Sequence, residues 1–200
     1  MERIGDFMVT YTGQKFWPLD PRAEEMRIVD VAHHLAMMPR FGGACKEHYS
    51  VAEHCVLGSY LVQPEYAFEF LMHDAEETWA ADMIRPIKHH SVAGERYRAI
   101  GDGIDLVVRR KWRLPYAKSA AVKRIDDAMC EVEKRQVFQV YPAELLDPMV
   151  LPDVRLHFWT WQKAEAKFLA RFAELTRPPR RRWFTGAFAT GGLVPKGGTA

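Results

Sequence analysis

Apolar residues recur at intervals of three and four through most of this chain, and the two-residue alternation of a strand is nearly absent. That period restricts the chain to helices that bury one stripe each against their neighbours. Ile28, Val31, Leu35 and Met38 form one such stripe, and Asp20-Pro21 supplies a start signal, so a helix is expected over 20–38, ended by Pro39. Ser50 is placed to cap a helix over 51–62, and Pro64 to open another over 64–80. Pro86 makes 82–90 read as a turn or short irregular link, with further helices expected at 91–111, 117–139 and 153–175. The expected fold class is all-α, a compact helical bundle.

With 200 residues, 48% of them apolar, the chain can bury a single core without disulfide staples. The domain is expected to span 1–176. From Arg177 to the end there are five basic residues, no acidic ones and five glycines, so 177–200 reads as a basic, flexible tail. Removing those five charges from the overall +2 leaves the body at −3, which is not the balance of a surface built for nucleic acid. No apolar run approaches a membrane span, and MERIGDFMVT lacks the apolar region of a secretory signal. Three cysteines, Cys45, Cys55 and Cys130, form no paired pattern and fit a reducing compartment. A cytoplasmic protein, of a bacterium or a phage-infected host, is expected. It should have no membrane or nucleic-acid partner and should self-associate as a homo-oligomer.

Four residues carry the chemistry. His73 and Asp74 stand together in FLMHDAEETW, read as mid-helix, where neighbours point about 100° apart and converge on an ion only if it lies in the groove beside them. His54 lies on the preceding helix beside Val51, Cys55 and Gly58. In VKRIDDAMCEV the apolar stripe is Val122, Ile125, Met129 and Val132. Asp126 borders that stripe, whereas Asp127 falls with Lys123, Arg124, Glu131 and Lys134 on the solvent side. An inward carboxylate without a partner costs several kcal/mol, so Asp126 calls for a cation, which a metal shared with His54, His73 and Asp74 would be. Glu77 shares a helix face with His73 and Asp74, and Asp82 follows where that helix should end.

The order His54, His73-Asp74, Asp126 resembles the H…HD…D signature of the HD-domain metal-dependent phosphohydrolases. RFGG at 40–43, YSVAEH at 49–54, HDAEETWAADMIRPIK at 73–88 and VKRID at 122–126 resemble its compact bacterial and phage branch. That branch includes 5′-deoxynucleotidases and the DatZ-type phage dATP triphosphohydrolases. The likeness covers roughly residues 15–140, and Ala44 stands where many relatives carry a further His. It implies one divalent transition metal (Zn, Co or Mn) on His54, His73, Asp74 and Asp126, with room for a second divalent ion brought by the substrate phosphates. It implies Glu77 as the residue that orients or deprotonates water, and Asp82 as acid for the leaving side. Arg40 would grip phosphate, as would Lys88 and Lys123, for which a solvated surface charge is the competing role. Phe41 is placed to stack on a nucleobase or, equally, to anchor its loop in the core. The expected activity is hydrolysis of deoxynucleotide phosphate esters, leaning to a dNTP triphosphohydrolase over a 5′-deoxynucleotidase acting on dNMPs. A non-catalytic nucleotide- or nucleic-acid-binding HD module is the reading from another class.

Overall fold

The computed structural model describes residues 2–147 and 152–177, so the tail expected at 177–200 lies outside the described residues apart from Arg177. The chain runs through α1 (Ile28–Met37), α2 (Val51–Gly58), α3 (Ala67–Leu71), α4 (Glu77–Ala80), α5 (Arg85–His90), α6 (Val92–Trp112), α7 (Ala120–Val137) and α8 (Trp161–Thr176). Among the described residues the only sheet is a two-residue hairpin, Met8–Val9 against Lys15–Phe16. The fold is the expected all-α bundle.

Side-chain caps set where four helices begin. Ser50, Ser91, Ser119 and Thr160 each accept from the backbone N–H three residues on, opening α2, α6, α7 and α8. α8 lies across α1, α2 and α3. Its Ala164 and Phe168 join a core cluster with Leu35, Cys55, Met72 and Val108. A second cluster gathers Tyr49, Phe70, Val122, Met129 and Leu156. Full burial of a side chain such as Leu35 or Phe168 contributes about 1.5–3 kcal/mol, so these clusters hold the helices at fixed separations. The approach of α2 to α3 depends on Gly58: a Cβ there would stand 2.0 Å from Phe70 Cε1. Gly58 is one turn after His54 and Phe70 one turn before His73, so this contact sets the spacing of the two histidines.

Several element boundaries differ from those the sequence predicts. The helix expected over 20–38 starts only at Ile28; a 3-10 turn at Ala23–Glu25 precedes it, and Arg22 and Arg27 are extended. Arg3, tied to both Asp20 and Glu25, and the buried Met26 draw that segment out of helical register. α2 stops at Gly58 instead of 62, and 82–90 holds the short helix α5 with Pro86 in its first turn. α8 begins at Trp161 because the preceding residues are bound outside any helix: His157, Phe158 and Trp159 donate their backbone N–H groups to the Glu53 carboxylate at 2.7, 3.1 and 2.7 Å. The boundary that matters most for function is inside 64–80. That stretch is a 3-10 turn, α3, a run of turns over 72–76, and α4, so His73 and Asp74 sit at a helix break and not mid-helix.

Candidate metal centre

The break at 72–76 is built from tightened turns: His73 N–H donates to Phe70 O, Ala75 N–H to Met72 O and Glu77 N–H to Asp74 O. It brings His73 Nε2 within 3.2 Å of Asp74 Oδ2, a closeness that the spacing of a regular helix does not predict. α2 supplies His54, whose Nε2 is 3.3 Å from His73 Nε2. α7 supplies Asp126, with Oδ1 3.3 Å from His54 Nε2 and 3.5 Å from His73 Nε2. Asp127, one residue on, is exposed and takes the ammonium of Lys123 at 2.9 Å.

The outer ring nitrogens decide what the inner ones present. His73 Nδ1 lies 2.6 Å from the Phe70 carbonyl oxygen, which can only accept, so Nδ1 carries the proton. His54 Nδ1 lies 2.6 Å from Glu133 Oε1. Burial works against the charge of Glu133, but Arg40, His54 and the Tyr49 hydroxyl outweigh it and hold that carboxyl down to about 2. It is therefore an acceptor as well. The nitrogens left to face the cluster are thus the two Nε2 atoms, 3.3 Å apart beside two carboxylate oxygens. Against the cost of burial, Glu133 and Asp126 raise the proton affinity of His54, and Asp74 and Asp126 raise that of His73 well above the ordinary value, so a cation, whether protons or a metal ion, is favoured at this point. Four acceptors in one buried spot require a cation or shared protons between them. Donors about 2.1 Å from a common ion in tetrahedral arrangement stand about 3.4 Å apart, close to the spacings found here. Holding the second ring nitrogen with a carboxylate and a carbonyl is how metal-bound histidines are oriented. The buried group His54, His73 and Asp74, with ligand atoms all within 4.8 Å of one another, can hold a metal ion, and Asp126 closes on the same point.

Around this cluster lie the remaining expected residues. Glu77 opens α4, buried, with Oε2 unpartnered; burial first, then the charges of Asp74, Glu76 and Asp82, push its carboxyl well above the ordinary range. Asp82 is exposed, directly after Ala81, whose φ of 63° and ψ of 174° belong to a region otherwise kept by glycine. Arg40 is brought to the cluster, but its guanidinium serves carboxylates: Nη2 donates to Glu133 at 2.8 Å and Nη1 is 3.8 Å from Asp74. Its Nε is buried without a partner. Phe41 sits at φ 54° with its ring 5.1 Å from that of Phe138, on the second core cluster. Lys123 points to Asp127 and solvent, and Lys88 lies over the Tyr97 ring at 5.5 Å; neither is brought to the four clustered side chains.

Three residues of the site escape a reading of the sequence. Glu133 is fully buried and accepts from His54, Tyr49 and Arg40. Its signal was its place seven residues after Asp126, on the same face two turns along. Lys118 reaches 3.9 Å from Asp74 Oδ1 from the connection between α6 and α7, where Glu69 holds the next backbone N–H, that of Ser119, at 2.8 Å. No local pattern marks it. Glu76, whose Oε2 is buried and unpartnered, has its carboxyl pushed up to about 7 by burial and by Asp74.

No family model matches the chain. It is 37% identical over 131 residues to the uncharacterized protein YfdR of Escherichia coli, a match covering 66% of this chain and 72% of that protein. The chain belongs to the YfdR family. It is also similar to the uncharacterized protein RCAP_rcc00048 of Rhodobacter capsulatus, 28% identical over 185 residues that cover 83% of this chain and 93% of that one. No helix among the described residues is long and apolar enough to cross a membrane.

Proposed function

We propose that this YfdR-family chain is a divalent-metal-dependent phosphohydrolase of deoxynucleotides, with cleavage of a dNTP to deoxynucleoside and triphosphate as its leading reaction. The observation that carries the proposal is the convergence of His54 Nε2 and His73 Nε2, 3.3 Å apart, with carboxylate oxygens of Asp74 and Asp126. The order of those residues resembles the HD-domain signature and adds the phosphate chemistry. A divalent ion on His54, His73, Asp74 and Asp126 would acidify water, from about 15.7 towards about 7, and draw charge from the phosphoryl oxygens.

The chain's own groups do the rest. Glu77, held with a raised affinity for a proton, takes one from the attacking water. As the P–O bond to the 5′ carbon breaks, the leaving oxygen needs a proton, and Asp82 is the carboxyl at the open edge to give it. Lys118, next to Asp74, and Arg40 supply positive charge beside the transferring group. Glu133 keeps the His54 ring in one tautomer and one orientation.

The test is an incubation of the purified protein with Co²⁺, Mn²⁺ or Zn²⁺ and a panel of dNTPs and dNMPs, with products separated by ion exchange. Equal amounts of deoxynucleoside and triphosphate are expected. Phosphate from dNMPs alone would reassign the reaction to a 5′-deoxynucleotidase, and no turnover by metal-loaded protein would sink the proposal. Asp126→Asn should lose both metal and activity, while Asp127→Asn keeps them. Equal metal content in the two variants would remove Asp126 from the ligand set.

A further inference from the structure

At the C-terminal end of α7, about 14 Å along the helix from Asp126, three chain segments line an open cleft of about 540 Å³. Lys46, Arg135, Arg155 and His157 line it, against the single carboxylate of Glu47. None of Lys46, Arg135 and Arg155 is in an ion pair among the described residues, although Arg135 Nη2 donates to the Asp147 carbonyl at 3.1 Å. The ring of Phe158 forms an apolar side, with Lys46 Nζ 5.5 Å above it.

The walls are fixed although the cations at their rim are exposed. Lys46 N–H donates to Val137 O at 2.9 Å, anchoring one wall to the end of α7. Gln136 reads the opposite segment in both directions, donating to Val154 O at 2.9 Å and accepting from Leu156 N–H at 3.1 Å. The Glu53 carboxylate binds the three successive N–H groups of residues 157–159 and holds Phe158 at φ 52°. Like charges from three segments repel, and a rigid frame that holds them together favours an anion between them. The volume suits a ligand of nucleotide size, within the usual 300–1,000 Å³ of small-molecule sites.

We infer that this cleft is a second anion site that takes a small phosphorylated ligand carrying a planar ring, the class to which nucleotides belong. Phosphate oxygens meet Lys46, Arg135 and Arg155, and the ring lies against Phe158. Occupancy is felt at the metal cluster by two connections. Glu53, which clamps the cleft wall, directly precedes His54. Phe158 packs on Tyr49 at 6.1 Å between ring centroids, and the Tyr49 hydroxyl donates to the same Glu133 that holds His54. The site therefore sits where a ligand can regulate the first, and its existence does not depend on what reaction the metal cluster performs.

The experiment is equilibrium dialysis of the full chain carrying Asp126→Asn, which disables the metal cluster, against dATP and against inorganic triphosphate. Saturable dATP binding is expected, weakened about tenfold or more by Arg135→Ala with Arg155→Ala, weakened by added salt, and tightened a few-fold by Glu47→Gln. All three residues are on the surface, so the variants should fold, as circular dichroism would show. The opposite signs of the two substitutions distinguish a ligand contact from a structural effect. dATP binding unchanged in both variants would overturn the site. Equal affinity for triphosphate and dATP would overturn the ring contact with Phe158. Retention of a single-stranded oligonucleotide but not dATP would overturn the small-ligand assignment. Failure of the phosphohydrolase reading would show as absent turnover in the wild-type chain and leave these binding results standing.

Discussion

Two faces of the cluster formed by His54, His73, Asp74 and Asp126 are built on opposite plans. On the face formed by α2 and α7, Glu133 receives the Tyr49 hydroxyl at 2.8 Å, the Arg40 guanidinium at 2.8 Å and His54 Nδ1–H at 2.6 Å. Its charge is compensated and its carboxyl falls to about 2. On the face formed by 74–82, Glu76 and Glu77 each bury an oxygen with no partner. Burial and the neighbouring charge of Asp74 raise both carboxyls, Glu76 to about 7. Buried polar atoms are nearly always satisfied, so two orphans side by side are an exception that a bound group would remove. The first face is a frame that fixes ligand geometry. The second is a pair of buried carboxyls with raised proton affinity, which under the proposed function would suit it to handle protons.

That contrast breaks into measurable parts. The largest effect should come from the second face: Glu77→Gln should keep the fold and the metal but lower kcat by about 10²–10⁴-fold. A variant with near-normal kcat would place proton transfer elsewhere. The frame should respond differently. Glu133→Gln should weaken metal binding by about 10–100-fold, read by titration with Zn²⁺ or Co²⁺, because the His54 ring loses the acceptor that orients it. It should also lower the thermal midpoint, since Arg40 is left with a buried, uncompensated charge. An unchanged metal affinity would mean that packing against Phe70 alone orients His54. The smallest effect separates two lysines. Lys118→Ala should raise KM several-fold with little change in kcat, while Lys123→Ala should be silent because its ammonium already serves exposed Asp127. Equal effects would return Lys123 to the substrate site.

How much of this was legible beforehand depended on the range of the interaction. The face of α7 could be read directly: a helix spaces side chains by fixed angles, so the stripe Val122, Ile125, Met129 separates Asp126 from Asp127 without knowledge of any partner. Ser50 capping α2 was equally plain, because a cap and the N–H it accepts are three residues apart. Glu133 shared the face of Asp126 and could have been included with it. Lys118 could not. It reaches Asp74 because Glu69, on another helix, holds the neighbouring Ser119 N–H.

The chain's periodicity and caps therefore determined by themselves that it is all-α, where most of its long helices run, and which Asp of the adjacent pair turns inward. Each of those is decided within a few residues. Only the tertiary structure decided that 64–80 breaks at 72–76, that 152–160 stays outside any helix, and that Glu133 stands behind His54. Those depend on contacts such as Glu53 with His157, 104 residues apart, and Glu133 with His54, 79 apart. A carboxylate that will bind backbone N–H groups or an imidazole from a distant segment has the same local signature as one that faces water. Its role is set by the desolvation it undergoes when the helices close around it.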